Sequence, residues 1–96
     1  MNRAPREANK WAVMHPETLP APDRTIDTSG KLCPFPIVET ARVMKELAGG
    51  AVLLVVATDP GIALDMPLWC KATRNEHLAT FEEGGKWRSY VRKRAP

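Results

Sequence analysis

Residues 51 to 57, Ala-Val-Leu-Leu-Val-Val-Ala, form the longest continuous apolar run in the chain. The run is continuously apolar and does not alternate with polar residues. Gly50 stands before it and Asp59-Pro60-Gly61 follows. A short apolar run between such breakers predicts a strand in the middle of a sheet. The rest of the chain must then supply neighbours for that strand and a layer to cover it.

The flanking segments fit that demand. Arg24-Thr25-Ile26-Asp27 is partly β-branched and suits an edge strand that ends in a Thr28-Ser29-Gly30 turn. From Pro34 the period becomes helical, with Ile37, Ala41, Met44 and Ala48 at i, i+4, i+7 and i+11. Pro34 suits a first helical position, where its missing N–H costs nothing, and Pro36 is still within the first turn. Gly49-Gly50 stops the helix. Asp59 caps a second helix begun by Pro60 and holding Ile62, Leu64, Met66, Leu68, Trp69 and Cys70. Pro67 either kinks this helix or marks a restart capped by Asp65. Asn75 suits its stop. Residues 77 to 83 and 86 to 93 flank Gly84-Gly85, a two-residue hairpin signal. In the last strand Trp87, Ser89 and Val91 point one way, and Arg88, Tyr90 and Arg92 the other. The order β-α-β-α-β-β with both helices on one sheet face predicts a two-layer α/β sandwich whose other face is solvated.

The chain has 96 residues, enough for one domain. Four of its nine prolines lie in the first 22 residues, with charged and small residues and no period. Residues 1–22 are therefore expected to be a flexible tail, and residues 23–96 the folded domain. Trp11, Val13 and Met14 are the sizeable apolar cluster of that tail. Arg3, Arg6 and Lys10 are followed by no apolar stretch of the length a secretory signal needs. The apolar run at 51 to 57 falls far short of the roughly 20 residues of a membrane span. The expectation is a soluble, cytoplasmic protein with no membrane partner. Two cysteines 37 positions apart make neither a disulfide scaffold nor a zinc pattern, and His15 and His77 add no metal spacing. In a reducing compartment both thiols stay free.

The net charge of +3 is unevenly placed. Residues 23 to 85 carry six basic and nine acidic side chains, whereas residues 86 to 96 carry Lys86, Arg88, Arg92, Lys93 and Arg94 with no acid. Such a run is either a solvated face or a steering patch for an acidic partner or RNA. An RNA module would stack bases on Trp87 and Tyr90 among the arginines. Trp87 is expected to face the core, so nucleic acid is not expected as the main partner.

Cys33 is the residue with chemistry to offer. It stands directly before Pro34 at a helix start, where unsatisfied N–H groups and the helix dipole favour a thiolate. Lys31, two residues away, would favour the anion further. A persulfide anion would be stabilised in the same way. The position of a second cysteine in a thioredoxin-type site is taken by Pro36, which argues against a local dithiol centre. That leaves a site that carries a group or reacts with a partner's cysteine. An inert, buried cysteine capping a helix fits the same spacing. Cys70, beside Trp69, reads as a core cysteine, with a resolving thiol for Cys33 as the functional alternative. Asp59 and Asp65 read as helix caps rather than catalytic acids, and either could contact partners.

The stretch "IDTSGKLCPFPIVETARVMKEL" resembles the TusA/SirA/YedF family of small sulfur carriers, marked by an Asp-x-x-Gly turn and then Cys-Pro-x-Pro opening a helix. Here these are Asp27, Gly30, Cys33, Pro34 and Pro36. The likeness continues through "GGAVLLVVATDPGIALDMPLWC" and "HLATFEEGGKWRSYVRK", and so covers about residues 24 to 93. It implies two helices on a four-stranded mixed sheet. It also implies that Cys33 accepts a persulfide sulfur from a cysteine desulfurase or a rhodanese-like protein, and relays it to a downstream acceptor. Family destinations include tRNA thiolation, molybdenum cofactor maturation and sulfur oxidation. The resemblance implies no cofactor and no metal, and a carrier of the sulfurtransferase type rather than a turnover enzyme. The alternative is a redox-responsive regulatory domain forming mixed disulfides at Cys33. Three departures stand out: Asn75-Glu76-His77 where the family often has Gly before His, Lys31 where an apolar residue is common, and the longer N-terminal extension.

Overall fold

The computed structural model describes residues 18–96, so residues 1 to 17 of the expected tail lie outside it. The elements are β1 (Arg24–Thr28), α1 (Phe35–Met44), β2 (Val52–Ala57), α2 (Ile62–Thr73), β3 (Glu76–Glu83) and β4 (Lys86–Arg92). The sheet order is β1-β2-β4-β3, with β1 parallel to β2 and the other pairs antiparallel. This is the expected two-layer sandwich of two helices on a mixed sheet. β2 lies inside the sheet and β1 at its edge.

One face of β2 explains the helix layer. Leu53, Val55 and Ala57 are fully buried and cluster with Val43 and Met44 of α1, Ile62, Met66 and Cys70 of α2, and Val91 of β4. Trp87 packs against the same cluster. The other face of β2 departs from the expected solvated surface. Val52, Leu54 and Val56 are only 4%, 7% and 8% exposed. Their register partners on β4 are Arg92, Tyr90 and Arg88, side chains long enough to lay their apolar parts over it. Tyr90 stacks on Phe81 with ring centroids 6.2 Å apart.

The buried stripe of α1 is shifted from the expected one. Pro36, Thr40, Val43 and Met44 face inward, while Ile37 only flanks the core and Ala48 lies beyond the helix and is exposed. Thr40 is tolerated there because its hydroxyl donates to the Pro36 carbonyl at 2.7 Å. Pro67 sits inside an unbroken α2, so neither a restart nor a break occurs. That helix ends at Arg74, in the left-handed conformation, rather than at Asn75. Asn75 instead accepts the Arg94 N–H through its side chain at 2.9 Å. Gly84 and Gly85 both have positive φ, as a tight hairpin with the strand twist requires. Buried Ser89 meets Thr80 at 2.7 Å, and Thr80 meets His77 at 2.6 Å, so the polar groups on the core side are paired.

The basic C-terminal segment is largely engaged within the fold. Arg88 pairs with Glu83 at 3.3 Å and Arg92 with Glu76 at 3.1 Å. Lys93 donates to the Met44 carbonyl at 2.7 Å and also to the Leu47 carbonyl, closing the C-terminal end of α1. A cation is favoured there by the helix dipole as well as by the bonds. Trp87 and Tyr90 lie on opposite faces of β4, so they form no shared stacking platform. Replacing Lys93 by Met keeps the stem and removes the donor. Lys93→Met is expected to cost about 1.5 kcal/mol, or roughly 6–12 °C in thermal midpoint for a domain of this size. A midpoint within about 2 °C of the original, a few tenths of a kcal/mol for this size, would show that the cap contributes little.

Candidate functional site

Parallel strands β1 and β2 end side by side, and each hands its chain to a helix. Crevices at the carboxyl ends of parallel strands are the usual place for chemistry in such sheets. The loop after β1 carries Cys33, and the loop after β2 carries Asp59. The first loop is built from the turn outward. Asp27 Oδ1 accepts from the Ser29 N–H at 2.9 Å and the Ser29 hydroxyl at 2.6 Å, which hold its carboxyl below the usual range. Gly30 takes a positive φ of 84°, which the turn needs and a side chain resists. The Lys31 N–H closes onto the Thr28 carbonyl at 3.1 Å. Pro34 occupies the N-cap position of α1 after a cis peptide bond from Cys33, and Pro36 is buried in the first turn.

Two bonds tie this loop to the next. The Gly30 N–H donates to Thr58 Oγ1 at 2.9 Å. The Cys33 N–H donates to Asp59 Oδ2 at 2.6 Å, while Asp59 Oδ1 accepts from the Gly61 N–H at 3.0 Å. The N-cap of α2 is Gly61, with no side-chain cap bond, rather than the Asp59 expected, because the helix starts at Ile62 and not at Pro60. The Asp59 carboxylate instead joins the sulfur-bearing residue to the Gly61 N–H just before α2. Both backbone donors hold its pKa below the ordinary carboxylate value. Gly61 fits the sulfur closely. A Cβ at that position would lie 3.3 Å from Cys33 Cβ and 3.5 Å from its Sγ.

Cys33 is a free, half-buried thiol, and Cys70 is free but only 1% exposed. Burial pushes the Cys70 thiol up to about 12. Its place in the core accords with the packing reading rather than with a resolving thiol.

The expectation of a favoured thiolate at Cys33 is reversed. Burial, then the Asp59 and Asp65 carboxylates, push its thiol up to about 11. The physical reason is placement. Cys33 stands outside the first turn of α1, and the charged groups acting on its sulfur are acids from the other loop and helix. Lys31, expected to stabilise the anion, holds its ammonium over the Phe35 ring, 5.3 Å from the centroid. Gly61 is the site residue that sequence reasoning missed, and Asp65 reads from the sequence chiefly as a helix cap. The spacing Gly61 to Asp65, one helical turn, was the available signal. Among the described residues no cluster of three metal-ligating side chains occurs, and no helix is long and apolar enough to cross a membrane.

Alkylation by iodoacetamide checks the electrostatics. Only the thiolate reacts, so the rate at Cys33 should climb about tenfold per pH unit from neutral pH and not level off before about pH 10. Cys70, being enclosed, should stay slower throughout. A plateau at Cys33 between roughly pH 6 and 8 would mean that the carboxylates do not govern the thiol.

Comparison with known proteins places this geometry. The family model described as "Sulfurtransferase TusA" matches residues 24–93. "Sulfur carrier protein TusA" of Allochromatium vinosum is 39% identical over 71 residues, covering 74% of this chain and 93% of that protein. The protein of the same name from Pseudomonas entomophila is 40% identical over 73 residues, covering 76% and 91%. A relative from Aquifex aeolicus is 42% identical over 71 residues, 74% of this chain, but the match spans only 36% of that longer protein. The crystal structure of a SirA-like protein from Desulfitobacterium hafniense has the same fold, with a TM-score of 0.65 at 18% identity, covering 74% of this chain and 97% of that one. The chain belongs to the TusA family.

Proposed function

We propose that this protein is a sulfur carrier that accepts a persulfide sulfur on Cys33 and passes it to a downstream acceptor protein. The observation that carries the reading is the half-buried free thiol of Cys33, fixed at the ends of the parallel strands by Asp59 and flanked by Pro34 and Pro36. The names of the matched TusA proteins point the same way. The donor is a protein that presents a persulfide, of the cysteine desulfurase or rhodanese-like kind. The Cys33 sulfur attacks the outer sulfur of that persulfide. The donor's S–S bond breaks, a new S–S bond forms on Cys33, and the donor cysteine leaves as a thiol. Delivery runs the same exchange toward the acceptor, whether the sulfur is bound for tRNA thiolation, molybdenum cofactor maturation or sulfur oxidation. Neither half needs an oxidant or a cofactor, because the sulfane sulfur only changes hosts.

Several features support this reading. With Pro36 where a dithiol centre has its second cysteine, no adjacent thiol expels the stored sulfur. Cys70 is enclosed by the core. A neutral resting thiol is also a poor target for stray electrophiles.

Incubation with a cysteine desulfurase and cysteine, followed by intact-mass measurement, tests the proposal. The wild type and Cys70→Ser should each gain the mass of one sulfur atom, reversed by a reducing thiol. Cys33→Ser should gain none. Sulfur retained in Cys33→Ser would place the carrier site elsewhere.

A further inference from the structure

Large apolar side chains left in water on a small domain are informative where they gather. Among the described residues five are exposed: Leu32 at 77%, Phe35 at 38%, Val38 at 58%, Leu64 at 68% and Leu68 at 59%. All five lie in the loop that carries Cys33 or in the first two turns of the helices that follow the two joined loops. Leu32 directly precedes Cys33. Phe35 opens α1, and Val38 is three residues on, one turn along. On α2, Gly61 marks the stripe that begins at the sulfur, since a Cβ there would stand 3.5 Å from Cys33 Sγ. Leu64 and Leu68 follow it at i+3 and i+7, on the same stripe. The buried residues of α2 are Ile62, Met66 and Cys70, so neither leucine is part of the core.

The apolar character stops within two turns of the sulfur. Farther along α1 the outer surface is charged, with Arg42 paired to Glu39 at 2.9 Å and to Glu46 at 3.6 Å. Beyond Leu68 the next exposed residue of α2 is Lys71. On the last strand, Arg88 and Arg92 are paired with Glu83 and Glu76.

We infer that these five side chains form the surface on which the protein donor of the sulfur docks, and that the donor meets it with an apolar surface around its own persulfide. This rests on the sulfur-carrier reading of Cys33. Three arguments name that occupant. The donor's outer sulfur has to come within bonding distance of a half-buried thiol, so the donor rests on the residues beside that thiol. The exposed parts of five side chains amount to a few hundred Å². That is on the order of the largest apolar patch of an ordinary monomer, and short of the roughly 800 Å² per partner that a stable interface buries. The size suits a partner that leaves after transfer rather than a permanent dimer of this chain. With the neighbouring ions paired among themselves, the affinity comes from apolar contact and not from charge.

Leu64→Asp and Leu68→Asp place a charge on this surface without opening the core, and circular dichroism checks each fold. Leu32→Asp, which lies on neither helix, is a third variant should a helix substitution weaken the fold. Loading is followed by intact mass with three sources of sulfur. These are a cysteine desulfurase fed cysteine, a rhodanese-like protein fed thiosulfate, and glutathione persulfide, a donor too small to span the surface. With whichever protein loads the wild type, each variant should raise KM for the carrier about tenfold or more and keep kcat within about threefold. Loading by glutathione persulfide should stay within about twofold of the wild type. Raising the salt from about 0.05 to about 0.5 M should change the wild-type KM by less than about threefold, because apolar contact is not screened.

Protein-donor loading unchanged in every variant would overturn the proposal. An equal fall with glutathione persulfide would do the same, since it would mean damage at the thiol itself. A KM that climbs steeply with salt would give the docking to charge, and a wild-type dimer that Leu68→Asp splits in sedimentation would give the surface to a second copy; either result overturns it. A wild type loaded by glutathione persulfide but by neither protein overturns it too. A wild type that takes sulfur from none of the three would instead overturn the carrier reading beneath it.

Discussion

The Asp59 carboxylate is the connection on which the site depends. Its two oxygens accept from two backbone N–H groups that belong to different loops, Cys33 after β1 and Gly61 after β2. The parallel pairing of β1 and β2 brings those loops together, and Gly30 to Thr58 Oγ1 adds a second tie. The side chain of Cys33 therefore leaves from a backbone held at its own amide, with Pro34 and Pro36 restricting the chain just beyond. Because Asp59 is stabilised as the anion by these donors, its contribution is present above the ordinary carboxylate pKa and fades as pH falls through the lower folded value. The bridge fixes where the sulfur is. It also adds a negative charge beside it, one reason the thiol is held neutral.

The rest of the fold serves to hold those two loops in place. β2 is buried on both faces and lies between β1 and β4, so its carboxyl end is flanked by a paired strand on each side. Both helices pack on one side of it, through Val43 and Met44 and through Ile62, Met66 and Cys70. Their first turns thus come together at the same edge, where the loops meet. At the opposite end Lys93 closes α1, so a cation that looked like part of a surface patch is a structural cap. Cys70 is enclosed in the core, 1% exposed.

Much of this fold was legible in the sequence because it rests on local signals. The unbroken run from Ala51 to Ala57 announced an inner strand, and Gly84-Gly85 announced the hairpin. The buried stripe of α1 was misplaced because Thr40 counts as polar in a periodicity reading, whereas its hydroxyl is satisfied by the Pro36 carbonyl. The site was half legible. Cys33, Asp27, Gly30 and the two prolines announced a rigid turn into a helix. The electrostatics were misjudged because sequence proximity favoured Lys31, two residues from the sulfur. Its flexible stem carries the ammonium to the Phe35 ring. Asp59 and Asp65 are 26 and 32 positions away, and only the parallel strand pairing brings them to the thiol.

The most direct test of this account is the rate of sulfur loading in Asp59→Ala, measured by intact mass against the wild type with glutathione persulfide as donor. The substitution leaves Cys33, Asp65 and both prolines in place and removes a charge that disfavours the thiolate. On electrostatics alone it should load faster. If the carboxylate bridge positions the sulfur, the folded variant should instead load at least about tenfold more slowly, as misplaced reacting groups do. A folded Asp59→Ala that loads at or above the wild-type rate would contradict the central claim.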